Sequence, residues 1–379
     1  MGSKLPRSGS ESLLDRCTSD FWAELTPVQK CATIDIVSIP TVHGCLPTSG
    51  EQEENRMEAK QWKAKRILVL SGGGGRGAYQ IGVLEYLEEV GWRPDVLIGS
   101  SVGAVNAAAL GSGVSVRGLK SRWLDLTTSD VQKMRVDDVI LDNVIRRRDH
   151  ILDLWPWPET LAGESRKWLG RAWFNSEEIN SPDAPYEVYV TAVNADTAQL
   201  EFFSNRDPGG LRLEQILASF SIPLWYGPQE IDGVPYWDGG VLANTPFRKA
   251  LEIGGTEIVV VTMVPWPERP LYSHERPGYI TEIEQEILII AQELWSAFEP
   301  ALDAMLTEMV WSDYRLYKSE LRAGSYPNLD WLRIVAPDHY LTVGLMTHYQ
   351  VEYHRHLFEL GYWDARKDLA NVLPLPAGA

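Results

Sequence analysis

The chain has no cysteine beyond residue 45. Its three cysteines, Cys17, Cys31 and Cys45, all fall near the start of 379 residues. An odd number without C-x-x-C spacing gives neither a disulfide framework nor a zinc site. Nor is there an apolar run of about 18 residues, so no transmembrane helix is expected. Positive charge is scarce too: 35 Lys and Arg stand against 52 Asp and Glu, a formal net charge of −17. That balance argues against a nucleic-acid partner, whose phosphates it would repel, and against recruitment to anionic membrane by charge alone. The first residues are polar and lack the charged-then-apolar pattern of a secretory signal. A cytoplasmic protein is therefore expected, one that can visit a lipid surface transiently, although nothing here excludes secretion. There is no paired-histidine spacing on a helix and no Asp-rich calcium loop, so neither a metal nor a cofactor is expected.

Apolar residues make up 44% of the chain, enough for a substantial core. Residues 1–62 read as a weakly structured or regulatory N-terminal extension, with a strand at 33–40, and residues 63–379 as the main domain. Within that domain 66–264 carry the motifs, and 265–379 form a helical C-terminal part. Ile67-Leu68-Val69-Leu70 and Asp95-Val96-Leu97-Ile98 are short continuous apolar runs, as in strands buried on both faces. Each leads through a glycine turn into a helix, 78–90 with Ile81, Leu84, Leu87 and Val90 recurring, and 103–110 built of small residues. Further strands are read at 186–193, 199–203, 257–264 and 331–335, and residues 112–180 as helical and irregular. A long helix is read over 278–299, its stripe Ile280, Ile283, Ile287, Ile290 and Leu294 packing on a core, and a last helix over 348–369. Strand, turn, helix, repeated, describes an α/β fold: a mainly parallel central sheet flanked by helices in three layers.

Three motifs carry the chemistry. The first is Gly72-Gly73-Gly74-Gly75-Arg76-Gly77, between strand and helix. It also satisfies G-x-G-x-x-G, but a dinucleotide site needs an acidic residue near the end of the next strand, and Gly99-Ser100-Ser101 stands there. A P-loop needs Lys-Ser or Lys-Thr after the glycines, where Ala78 follows Gly77. Consecutive glycines are conformationally costly, and their bare backbone can aim N–H groups at one point. The second motif, Gly99-Ser100-Ser101-Val102-Gly103, is a G-x-S-x-G nucleophile elbow in which Ser101, rather than Ser100, has both flanking glycines. Ser101 then sits at a helix N-terminus, where the dipole favours an oxyanion. The third, Asp238-Gly239-Gly240, is by itself an ordinary turn sequence. It lies between Ala218-Ser219-Phe220-Ser221-Ile222-Pro223 and Asn244-Thr245-Pro246.

In that order the three motifs resemble the patatin-like phospholipase family, over roughly residues 66–264. Ser71 stands where many members have Asp. The resemblance implies a lipid acyl hydrolase acting on phospholipids or other lipid esters through a Ser101–Asp238 dyad. It also implies an oxyanion hole drawn from Gly72, Gly73, Gly74, Gly75, Arg76 and Gly77, centred on Gly73 and Gly74. Arg76 is read as holding the loop through an ion pair in preference to facing a headgroup. Two alternatives stand beside this reading. One is a Ser-Asp-His triad drawing on His274, His339 or His348 among the seven histidines. The other is a catalytically silent scaffold of the same fold. Arg146-Arg147-Arg148 with Trp155-Pro156-Trp157 forms a basic, aromatic island that reads first as a solvated charge run beside core tryptophans.

Overall fold

The computed structural model describes residues 65–134, 150, 152–266, 282–341 and 349–375, all within the unit Lys63–Ala379. The extension 1–62, the strand read at 33–40, the arginine run 146–148, His274 and His348 lie outside the described residues.

The main sheet has strands β1 (Arg66–Leu70), β2 (Val96–Gly99), β5 (Glu187–Asn194), β6 (Gln199–Ser204), β7 (Gln229–Ile231), β8 (Val234–Asp238), β9 (Glu257–Val261) and β10 (Trp331–Val335). The pair β3 (Lys133–Met134) and β4 (Leu152–Asp153) forms a separate ribbon. The order β10-β9-β1-β2-β5 is parallel throughout; β6 and β8 join β5 antiparallel, and β7 joins β8. The sequence reading finds six of these strands and misses the β7–β8 hairpin, whose few residues show no apolar alternation.

The helices used below are α1 (Ala78–Glu89), α2 (Val102–Gly111), α3 (Val116–Asp125), α4 (Leu213–Phe220), α5 (Gly240–Ala243), α6 (Phe247–Glu252), α7 (Glu282–Arg322) and α8 (Val351–Leu369). The long helix runs well past the end read from sequence. The stripe 280–294 lies outside its described side chains, but Leu306, Val310 and Tyr317 farther along α7 are buried.

Successive side chains of a strand point to opposite faces, and the core follows that alternation. Leu68 and Leu70 of β1 enter one apolar cluster with α1, α2 and α8, while Ile67 and Val69 enter another with α6 and α7. Val259 and Val261 of β9 join the first cluster, Ile258 and Val260 the second. A strand covered on both faces has no polar side, which is why β1 and β9 read as unbroken apolar runs. The result is a three-layer α/β/α fold.

β1 lies between β2 and β9, where the strand order reverses. Ligand sites in open parallel sheets form beyond the carboxyl ends of strands at such a point. Both the glycine loop and the serine elbow leave from these ends.

Candidate active site

β1 ends at Leu70, and Ser71 and Gly72 turn the chain away from the sheet: the Ser71 N–H donates to the Val261 carbonyl at 3.0 Å, and that of Gly72 to the Asn244 carbonyl at 2.9 Å. Residues Gly74–Gly77 form one 3-10 turn that runs directly into α1. The Arg76 N–H donates to the Gly73 carbonyl at 3.1 Å. Within the stretch 72–77 read as the cradle, the Gly72 and Arg76 N–H groups are both bonded inside the protein. Gly73, Gly74 and Gly75 open the turn, so their N–H groups have no acceptor within it. Gly77 has a packing role, since a Cβ there would meet Val102 Cγ2 at 2.6 Å. Arg76 does not face outward: its guanidinium is fully buried and bonds to Asp303, to the Leu341 carbonyl and to the Gly73 carbonyl.

β2 ends at Gly99, and Ser101 is held at φ 54°, ψ −127° as the N-cap of α2. A serine in that region is strained, and such strain is retained only where the surroundings fix it. Here the Ser101 N–H donates to Ser219 Oγ at 3.0 Å. The two elbow glycines are required by backbone proximity. A Cβ on Gly99 would lie 2.4 Å from the Gly103 carbonyl oxygen, and one on Gly103 would lie 2.2 Å from that of Leu70.

Asp238 is the last residue of β8, opposite Ala192 of β5. Gly239 follows because a Cβ there would lie 2.0 Å from Thr191 Oγ1 on β5. The Asp238 N–H donates to the Ser221 carbonyl at 2.9 Å, while its Oδ1 accepts the Gly240 N–H at 2.6 Å. The Ser101 side chain lies close enough to this carboxylate to favour its charged form. Both residues are 3% exposed. Burial pushes the Asp238 carboxyl up to about 7, against the opposing pull of Ser101 and of the Gly240 hydrogen bond. The structure thus brings Ser101, Asp238 and the glycine loop together, with Gly72 so close that a Cβ on it would lie 2.9 Å from Ser101 Cβ. His339 is exposed on the loop after β10.

Behind the pair lies an aromatic wall. Trp157 packs on Trp173 and Phe220, and Phe220 stacks on Tyr226. Tyr226 is wholly buried, its hydroxyl bonded to Gln132 and pushed well above its ordinary pKa by burial and by the Asp238 charge. Trp157 is core while Trp155 is half exposed, which separates the two tryptophans of the island.

Three residues at the site are not legible as such in the sequence. Ser219 steadies the elbow from α4. Asn244, 6% exposed, contacts Gly72 through its carbonyl and its side chain. Asp303 meets Arg76 from α7. Ser219 and Asn244 flank the aspartate motif, but only the fold brings them to the serine.

Among the described residues no helix is long and apolar enough to cross a membrane. The patatin-like phospholipase model matches residues 68–251. The chain is 26% identical over 205 residues to a cGAMP-activated phospholipase of Vibrio cholerae, covering 48% of this chain and 55% of that protein. It is 26% identical over 200 residues to patatin-like phospholipase domain-containing protein 7 of Rattus norvegicus, covering 51% of this chain and 13% of that one. The chain thus spans about half the length of the bacterial relative and a small part of the rat protein. Among solved structures it is similar to VipD from Legionella pneumophila, with 15% identity, a TM-score of 0.41, and coverage of 80% of this chain and 66% of that one. Residues 68–251, just under half of the chain, thus match the patatin-like phospholipase family.

Proposed function

We propose that this protein is a lipid acyl hydrolase, cleaving carboxylic esters of phospholipids or related glycerolipids through an acyl-enzyme on Ser101. One observation carries the reading: the Ser101 side chain adjoins a buried Asp238 carboxylate that burial pushes up to about 7. A carboxylate of ordinary pKa is a poor base for a serine hydroxyl, and raising it toward neutrality brings it to the working range of a general base. The family supports a lipid ester as substrate.

In the proposed cycle Ser101 Oγ attacks the ester carbonyl while Asp238 accepts its proton. The carbonyl oxygen becomes an oxyanion beside the N–H groups of Gly73 and Gly74 and the N-terminus of α2. One such donor is typically worth about 3–4 kcal/mol of barrier. Asp238 returns the proton to the departing alcohol. It next takes a proton from water, which attacks the acyl-enzyme, and restores the Ser101 hydroxyl as the fatty acid leaves.

The test is a panel of phospholipids and neutral glycerolipids, with released fatty acid resolved by mass. Ser101→Ala and Asp238→Asn are each expected to abolish release while the protein stays folded. Loss in His339→Ala as deep as that in Asp238→Asn would replace the dyad by a Ser-Asp-His triad. Absence of turnover even on a short-chain nitrophenyl ester would leave a silent scaffold.

A further inference from the structure

We propose that Asp303 is a positioning residue for the oxyanion hole, acting from helix α7, outside the matched family segment, through Arg76. The inference rests on the Ser101–Asp238 reading. Its geometry begins at one carbonyl. Gly73 O accepts from the Arg76 backbone N–H at 3.1 Å and from Arg76 Nε at 3.4 Å. In a trans peptide the carbonyl and the following N–H point in opposite directions. Two donors from Arg76 on the Gly73 oxygen therefore turn the Gly74 N–H away from the guanidinium. Gly74 itself has φ 55°, the left-handed region that glycine enters without cost. A glycine run has little intrinsic preference for one peptide orientation, so something outside the run must choose it.

That something is Arg76, and Arg76 is in turn fixed by the C-terminal part of the chain. Its Nη1 donates to Asp303 Oδ1 at 3.3 Å and to the Leu341 carbonyl at 3.1 Å. The side chains are 0% and 6% exposed, so the pair is shielded from solvent competition. The planar guanidinium spans loop, helix and the segment after β10 at once, a geometry that a lysine point charge does not reproduce. Seating of α7 thereby sets the direction of an amide more than 200 residues earlier in the chain. Domain 68–251 supplies the nucleophile, the base and the donors; Asp303 holds the donors in register.

The experiment uses the full chain, with Asp303→Asn, Asp303→Glu and Arg76→Lys, on a nitrophenyl ester and with a fluorophosphonate. The end point of labelling counts folded sites, and its rate reads oxyanion stabilisation. For Asp303→Asn we expect kcat per labelled site to fall roughly 10- to 100-fold, KM to stay within about threefold, and the labelling rate to fall by the same factor as kcat. The apparent pKa of kcat/KM should stay where it is in the parent protein, because the base is untouched. Asp303→Glu should recover most of the loss, and Arg76→Lys should not. Unchanged kcat in fully labelled Asp303→Asn protein would overturn the proposal. So would a loss of activity matched wholly by a lower end point, which means misfolding and nothing more. If Asp303→Asn does not fold, the Asp303→Glu and Arg76→Lys kinetics decide by the same criteria. Labelling and turnover that persist in Ser101→Ala would sink the underlying dyad, not the tether.

Discussion

Gly82 of α1 and Gly361 of α8 mark the point where two helix backbones touch. A Cβ on Gly82 would lie 1.9 Å from the Phe358 carbonyl oxygen, and one on Gly361 would lie 2.0 Å from that of Tyr79. Around this crossing the Tyr79 hydroxyl donates to Asp364 at 2.9 Å, and Tyr86 meets Tyr362 edge-on. Helix α1 starts where the glycine turn ends, so this packing fixes the far side of the loop. Gly361→Ala must push backbone against backbone, a contact no rotamer change can relieve. We expect a loss of at least about 1–3 kcal/mol, the usual range for overpacking, read as a lower midpoint in urea unfolding. A midpoint unchanged within error would mean that the helices separate without cost.

Activity should follow the ionisation of Asp238. A general base works only deprotonated, and this one is held near 7 by burial. kcat/KM on a soluble ester is expected to rise about tenfold per pH unit below that value and to level off above it. A profile already flat from pH 5 upward would require a base of ordinary carboxylate strength.

Stability should run the other way. Asp238 is raised above its unfolded value, so the native state holds the proton more tightly between about pH 4 and 7. Its contribution is therefore fully present below pH 4 and is lost as pH rises to 7. His354 opposes it: burial lowers it from 6.5 to about 4, so its contribution is lost as pH falls through that window. Asp238→Asn should raise stability at pH 8 by on the order of 1–4 kcal/mol, with the gain fading toward pH 4. Thermal midpoints measured at several pH values for both proteins check this. An equal gain at pH 4 and pH 8 would assign it to packing and not to charge.

Ser219→Ala removes the acceptor of the Ser101 N–H and leaves that donor buried without it. The expected cost is about 1–3 kcal/mol of stability. Because the same bond holds the strained elbow, kcat should fall while KM changes little. Ser221→Ala is the control, since its hydroxyl donates only to the Leu217 carbonyl at 2.9 Å, in its own helix. Equal effects from both would deny Ser219 its role at the elbow.

Gly72→Ala places a methyl group 2.9 Å from Ser101 Cβ and 2.4 Å from Asn244 Oδ1. The Asn244 side chain can shift, but the serine is held by its backbone. Turnover is expected to fall at least about tenfold through displaced Ser101, with the chain still folded by circular dichroism.

Local chemistry is written in the sequence, and six strands and the helices beside the motifs could be read from it. β1 and β9 are apolar on both faces because both faces are covered, and that leaves an unbroken run in the chain. Gly99, Gly103 and Gly239 stand where neighbouring backbone or a β5 side chain leaves no room for a Cβ, so these motifs record contacts as gaps in side-chain volume. The β7–β8 hairpin left no such trace, because its pairing to β5 is made by backbone groups that every residue carries.

The sequence by itself determined an α/β architecture and the identity of the serine, the aspartate and the glycine run. Only the tertiary structure decided which amides of that run are free, through bonds from Gly72 to Asn244 and from Arg76 to Gly73. It alone joined Ser101 to Ser219 and Arg76 to Asp303. The physical reason is reach: a motif states what a residue can do, whereas burial, partner and direction are set by segments far along the chain that folding brings within hydrogen-bond distance.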